Sequence, residues 1–179
     1  MSLFSFTLIT SGVLGLLGLF LTFESFKAEK YIRKFLRSQK ASILLLAIGL
    51  FWFLFHHVQN LGEADFGEYK FIIGIIGVFI AVSSYFFIND FLAVRALCII
   101  LLFYSRLALD SAFLQEPQSR LFLVTVIYFI VLCAIYFGAW PYRMRDFLNW
   151  LYDNSKRSIL FGVSFIGYSL ILLGVALSY

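Results

Sequence analysis

Along this chain the apolar residues fall in six long runs, Leu3–Phe23, Ser42–Val58, Phe71–Ile88, Phe91–Leu109, Leu121–Trp140 and Ile159–Leu177, separated by short polar connections. A helix rises ~1.5 Å per residue, so each run covers roughly the ~30 Å of bilayer hydrocarbon. The pattern predicts six transmembrane helices. Two connections have a different period. Ala28, Tyr31, Ile32 and Phe35 in the first, and Met144, Phe147, Leu148 and Leu151 in the fifth, recur at i, i+3, i+4, i+7 among basic residues. That spacing gives one apolar helix face and predicts two amphipathic helices lying on the membrane surface. Pro141 suits the first turn of the second one. Trp140, Tyr142 and Trp150 are expected at headgroup level, where amphipathic rings prefer to sit. The expected fold is all-α: a six-helix transmembrane bundle with two amphipathic surface helices on the cytoplasmic side.

Composition agrees with that class. Hydrophobic residues make up 62% of the 179, charged residues 13%, and the mean hydropathy is +0.94. Soluble domains carry about 25% charge. The connections leave no room for a separate extramembrane domain, so residues 1–179 are expected to form one membrane-embedded unit. The net charge of +4 comes from basic residues at the edges of the apolar runs, which argues for topology signals and against nucleic acid. Cys98 and Cys133 fall inside the fourth and fifth runs without CxxC or zinc spacing, so neither a disulfide framework nor a metal site is expected. The first run has no positive region before it and no small-residue cleavage site, and it is read as a retained span.

Orientation follows from Lys and Arg. The first connection holds Lys27, Lys30, Arg33, Lys34, Arg37 and Lys40, and the fifth holds Arg143, Arg145, Lys156 and Arg157. The positive-inside rule places both on the cytoplasmic side, together with Arg95 after the tight Asn89–Asp90 turn. Only Lys70, Arg106 and Arg120 then fall outside. Both termini are expected to be extracytoplasmic, and a bacterial inner membrane is the expected location.

A shift of 116 residues lays the first run over the fifth and aligns Lys40, Ser42, Ile43 and Leu44 with Lys156, Ser158, Ile159 and Leu160. The same shift superposes the two amphipathic stripes. Residues 1–60 and 117–179 therefore read as a parallel repeat joined by a central helical hairpin, 71–109.

Chemistry is sparse. Arg95 and Arg106 are close to three helical turns apart in the fourth run and share a face; Asp90 and Asp110 are placed to pair with them. Charge at bilayer depth suggests function, whereas arginines near span ends can also snorkel to the interface. These four residues form a candidate ion-pair or anion site. His56 and His57 end the second run; no third histidine exists, and they are candidate interface or proton-handling residues, not metal ligands. Small-xxx-small spacings at Ser11 and Gly15, Gly77 and Ala81, and Ser158 and Gly162, with Gly12, Gly15 and Gly18 stepping by three, mark candidate helix seams. No GxSxG, HExxH or paired acidic motif is present, so no catalytic residue and no cofactor are expected. The expected function is a non-catalytic packing or accessory subunit whose basic rim holds anionic lipid headgroups, alongside a membrane-protein partner or further copies of itself. The alternative is a small transporter or permease-like module handling an anionic solute, and an intramembrane enzyme ranks behind both.

Overall fold

The computed structural model describes residues 2–23, 25–36, 38–62, 66–87, 91–116 and 118–179, with 25–29 described by backbone alone. The Lys27 side chain, Arg37, and the Asn89–Asp90 turn lie outside the described residues. The rest is helical: α1 (Leu3–Phe23), α2 (Ser25–Leu36), α3 (Gln39–Trp52), α4 (Lys70–Phe87), α5 (Leu92–Ala112), α6 (Arg120–Ala139), α7 (Pro141–Tyr152) and α8 (Ser155–Ala176). Among the described residues there is no strand. Six helices are long and apolar enough to cross a membrane, α3 counting with its extension to Val58 and α4 with the 3-10 turn Gly67–Tyr69 before it.

α1 and α8 pack closely along their lengths. Partners run in opposite directions, Ser11 against Ser169, Gly18 against Gly162 and Leu21 against Ser158, so the two helices are antiparallel. Small residues set the distance. A Cβ on Gly18 would lie 2.7 Å from the Gly162 carbonyl oxygen, closer than real Cβ contacts come. Ser11 Oγ donates to the Ser169 carbonyl and Ser169 Oγ to the Ser11 carbonyl, each at 2.8 Å. The seam thus runs through Ser11, Gly15, Gly18 and Thr22, at i, i+4, i+7 and i+11. Gly12 is not in it: a Cβ there would meet nothing within 4 Å. Steps of three residues drift about 60° around a helix of ~3.6 residues per turn, so Gly12 and Gly18 cannot share one face.

α5 stands between α3 and α6 and also reaches α1, where Tyr104 Oη and Thr10 Oγ1 are 2.7 Å apart. Leu3, Phe6, Ala108, Leu123, Ile127 and Leu172 form one core between α1, α5, α6 and α8. Among the described residues α4 packs chiefly along α3 and its extension, and none of its own residues is buried.

At one end α2 and α7 fold across the bundle. Trp140 is the single residue between α6 and α7, and Pro141 opens α7 as its first residue. The chain therefore turns back at once under its own helices. This changes the environment expected for the apolar stripes. Leu148 and Leu151 are 4% and 3% exposed, covered by protein, and Leu148 joins Leu36, Val94, Cys98 and Ala134 in a second core. Tyr31, expected on the apolar stripe of α2, faces outward.

Element boundaries repeat at the offset found in the sequence. α2 and α7 are both 12 residues long and start at Ser25 and Pro141; α3 and α8 start at Gln39 and Ser155, capped by Ser38 and Asn154 side chains that accept from nearby backbone N–H groups. Arg33 Nη1 donates to Asn149 Oδ1 at 2.5 Å, joining two positions that are themselves 116 apart.

Candidate functional site

The two ends of the bundle carry different chemistry. At the end crossed by α2 and α7, the basic residues sit on the helix surface, and the arginines of α7 and the start of α8 are held locally. Arg157 Nη1 donates to the Trp150 carbonyl at 3.0 Å while its guanidinium lies 4.9 Å from the Trp150 ring centre, and Asp153 is 3.9 Å away. Arg145 pairs with Asp146 at 3.0 Å, and Arg143 lies 5.7 Å from the centre of the Tyr142 ring. Lys30, Lys34, Lys40 and Lys156 point outward. The result is a rim of cations around a covered apolar floor.

Arg95 differs from these. It enters α5 just after Phe91, whose backbone is left-handed at φ 56°. A bulky side chain there is strained, by roughly 1–3 kcal/mol, and such strain collects at functional positions. The Phe91 carbonyl caps the helix by accepting from Val94 and Arg95 N–H at 3.0 and 3.3 Å. Arg95 Nε is buried without a hydrogen-bond partner. The expected Asp90 partner lies outside the described residues, and among those described Arg95 makes no ion pair. It does not converge with Arg106, which sits near the opposite end of the same helix.

A cleft of about 260 Å³ opens between α3, α4 and α5, walled by Gly49, Phe53, Gly77, Ala81, Ile99 and Phe103 among others, and Arg95 is not among the residues that line it. Ser84 is the one hydroxyl in its lining. A second apolar groove of about 790 Å³ runs along the other side of α4, with Gln59 and Lys70 at its end. Lys70 Nζ donates to the Gln59 carbonyl at 3.1 Å.

The far end holds the histidines. α3 widens into a π-helix at Phe53–Val58, with the Gln59 N–H reaching back five residues to the Leu54 carbonyl. Such segments are rare and recur at functional sites. The wide turn leaves the His56 and His57 rings 5.4 Å apart, with His57 packed 4.6 Å from Phe103. His57 Nδ1 is buried with no hydrogen bond of normal geometry, and the charge of Arg106 reaches the ring. Arg106 and Asp110 stand 4.0 Å apart, 66% and 69% exposed, at the surface and not in a cavity. Among the described residues no three of His, Cys, Asp and Glu come together as metal ligands. Cys98 and Cys133 are free thiols.

The sequence singled out Arg95, Arg106 and the two histidines as candidates and gave no sign of three structural features near them. These are the π-helical turn, the strained Phe91 and the Tyr104–Thr10 link. No sequence pattern announces the first, and the other two depend on tertiary packing. No protein-family model, no curated protein and no solved structure matches this chain.

Proposed function

We propose that this protein is a non-catalytic, multi-pass membrane subunit that works by packing and by holding anionic lipid headgroups at its basic rim. The observation that carries this reading is the exposure of Arg106 and Asp110. A transport site needs its charged pair withdrawn from solvent and facing polar groups on other helices, whereas this pair emerges at the end of α5. The two clefts along α4 support the same view, because their walls are aliphatic and aromatic and offer an ion almost nothing to coordinate. In this reading the basic end faces the cytoplasm of a bacterial cell, both termini face outward, and α2 and α7 rest their charged outer faces against phospholipid headgroups. Residues 1–60 and 117–179 are two copies of one helical unit, a reading supported by the shared helix boundaries.

The test has three arms. Single cysteines at Ser2 and Ser178 should react with an impermeant maleimide in intact cells while one at Ser38 should not. Native electrophoresis after mild extraction should show an assembly heavier than one 20.6 kDa chain in its micelle. Purified protein in vesicles should show no saturable uptake of phosphate, sulfate or chloride. Saturable uptake lost on Arg106→Gln would overturn the subunit reading in favour of a transporter.

A further inference from the structure

α4 is held differently from the other five helices of membrane-spanning length. Each of those buries residues of its own, whereas every residue of α4 keeps part of its surface open. Space flanks it on both sides: the cleft of about 260 Å³ toward α5, to which it gives Gly77, Ala81 and Ser84, and the groove of about 790 Å³ on its other side. Its seat is the π-helical turn Phe53–Val58. A Cβ on Gly74 would lie 3.6 Å from Leu54 and 3.9 Å from Val58, and one on Gly77 would lie 2.6 Å from the Phe53 ring. Phe53, Leu54 and Val58 thus fill a notch left by two missing side chains. The Phe53 ring stacks on His57, centres 6.3 Å and planes 20° apart, and His57 in turn rests on Phe103 of α5. One line of rings therefore runs from the α4 notch to α5. Local opening starts where buried apolar contacts are fewest, and elements that move are drawn from that end of the stability range.

We infer that α4 is a movable lid over the α3–α4–α5 cleft, leaving its seat on Phe53, Leu54 and Val58 as a unit while the two cores stay closed. Neither core draws a residue from α4, so both survive its departure. Seated, α4 closes the cleft; displaced, it joins the cleft to the surrounding hydrocarbon. The π-turn is the latch. It presents Phe53 and Leu54 to α4 and His57 to α5 from one stretch of helix, and an ordinary α-turn would rotate the residues after it by about 100°, so those contacts could not all be kept. His57 serves here as a flat ring, since its Nδ1 is buried without a hydrogen bond of normal geometry. The lid rests on the membrane-embedded reading above but fails separately from it, because a fixed α4 would leave topology, native mass and anion uptake unchanged.

The experiment is pulsed electron spin resonance on the full chain in lipid nanodiscs, with the free thiols Cys98 and Cys133 replaced by alanine. One nitroxide pair sits at Phe79→Cys on α4 and Phe129→Cys on α6, and a control pair at Leu16→Cys on α1 and Leu132→Cys on α6; all four positions are exposed. Gly77→Val fills the notch against a ring that His57 holds in place, and should raise the ratio of long to short α4–α6 distances about tenfold, within the range that overpacking supplies. Gly74→Ala meets only ordinary contacts and should leave the distances unchanged. His57→Ala takes away the ring behind Phe53 and should lengthen them too, whereas His57→Phe should not. The α1–α6 distances should hold throughout. Unchanged α4–α6 distances in a folded Gly77→Val, or control distances that broaden along with them, would overturn the lid. Should Gly77→Val fail to fold, His57→Ala decides alone: longer α4–α6 distances support the lid and unchanged ones overturn it. Opening by His57→Phe equal to that by His57→Ala would overturn the latch.

Discussion

Replacing Gly162 by alanine should be among the most damaging single-methyl changes available to this protein. A Cβ built on Gly162 comes 2.8 Å from the Gly18 carbonyl oxygen and 3.1 Å from the Thr22 backbone nitrogen. Carbon and its neighbours sit comfortably at about 3.5–4.0 Å, so relief requires a separation of roughly 0.5–1 Å. The nearest atom is the Thr22 hydroxyl oxygen, which is tied by donating to the Gly18 carbonyl at 2.7 Å, and the other two are backbone. No side-chain rotation can make room, so the helices must part. Parting stretches the reciprocal Ser11–Ser169 bonds, now 2.8 Å each, toward the limit of useful geometry. Overpacking of a tight interface costs about 1–3 kcal/mol, and interhelical hydrogen bonds between membrane helices average about 0.6 kcal/mol each. The sum predicts a loss of roughly 2–4 kcal/mol.

Gly12→Ala is the matched control. Nothing lies within 4 Å of a Cβ there, and removing a helix-interior glycine stabilises by roughly 0.5–1 kcal/mol. The assay is reversible unfolding in mixed micelles, followed by the reaction of Cys98 with a thiol-reactive dye, since Cys98 is 6% exposed and is shielded in the folded state. Gly162→Ala and Gly12→Ala should shift the midpoint in opposite directions. Equal effects from the two would refute the claim that α1 and α8 are held at this distance by missing side chains.

Leu151→Asp puts a charge into a site that is 3% exposed, and should cost about 3 kcal/mol or more. Because α7 packs on the bundle, amide exchange should rise across α2 and α5 as well, and a rise confined to α7 would mean that its floor is lipid. Leu114→Gly should stabilise by roughly 0.5–1 kcal/mol, since Leu114 sits at φ 54° with 80% of its surface exposed, and backbone relief outweighs the little packing lost. Arg106→Gln and Asp110→Asn should each change stability by about 0–1 kcal/mol, as befits an exposed pair at 4.0 Å. A loss above about 2 kcal/mol from either, read by the same thiol assay, would place the pair in a buried setting.

Long apolar runs announce helices of bilayer length without any need for periodicity, which is why the six long helices were legible. Their ends were less so. α3 begins at Gln39, ahead of the apolar run at Ser42, because the Ser38 hydroxyl accepts from the Ala41 N–H at 3.2 Å and draws polar Gln39 and Lys40 into the first turn. Hydropathy cannot register that bond. The glycine and serine spacings located the α1–α8 seam, since close approach needs small residues whatever the partner. Which partner was not legible: when nearly every face is apolar, sequence pattern no longer distinguishes a face that meets protein from one that does not. The same blindness hid the burial of Leu148 and Leu151, whose stripe reads alike over lipid or over a core.

The 116-residue offset also bears on why α5 lies where it does. If α1 corresponds to α6 and α8 to α3, the α1–α8 seam has a counterpart between α6 and α3. At that offset Ser11 and Gly15 become Ile127 and Val131, while Gly162 and Ser169 become Leu46 and Phe53. Gly18, Thr22 and Ser158 keep small counterparts in Ala134, Gly138 and Ser42, but the bulky Ile127, Val131, Leu46 and Phe53 stand where the α1–α8 seam is tightest, and they keep α3 and α6 from closing on each other as α1 and α8 do. We propose that the resulting slot is what α5 fills, bringing Arg95 and Arg106 with it. Its fit depends on small residues facing it: a Cβ on Gly138 of α6 would lie 3.5 Å from Cys98 Cβ, and one on Gly49 of α3 would lie 3.7 Å from Ile100. Gly138→Leu adds three further carbons beyond an already ordinary contact and should push α5 outward, at about 1–3 kcal/mol. Displaced, Cys98 should become reactive to a thiol dye in protein that is still folded by amide exchange elsewhere. If Cys98 stays shielded in the folded variant, α5 is not seated by the space between α3 and α6, and the broken symmetry needs another cause.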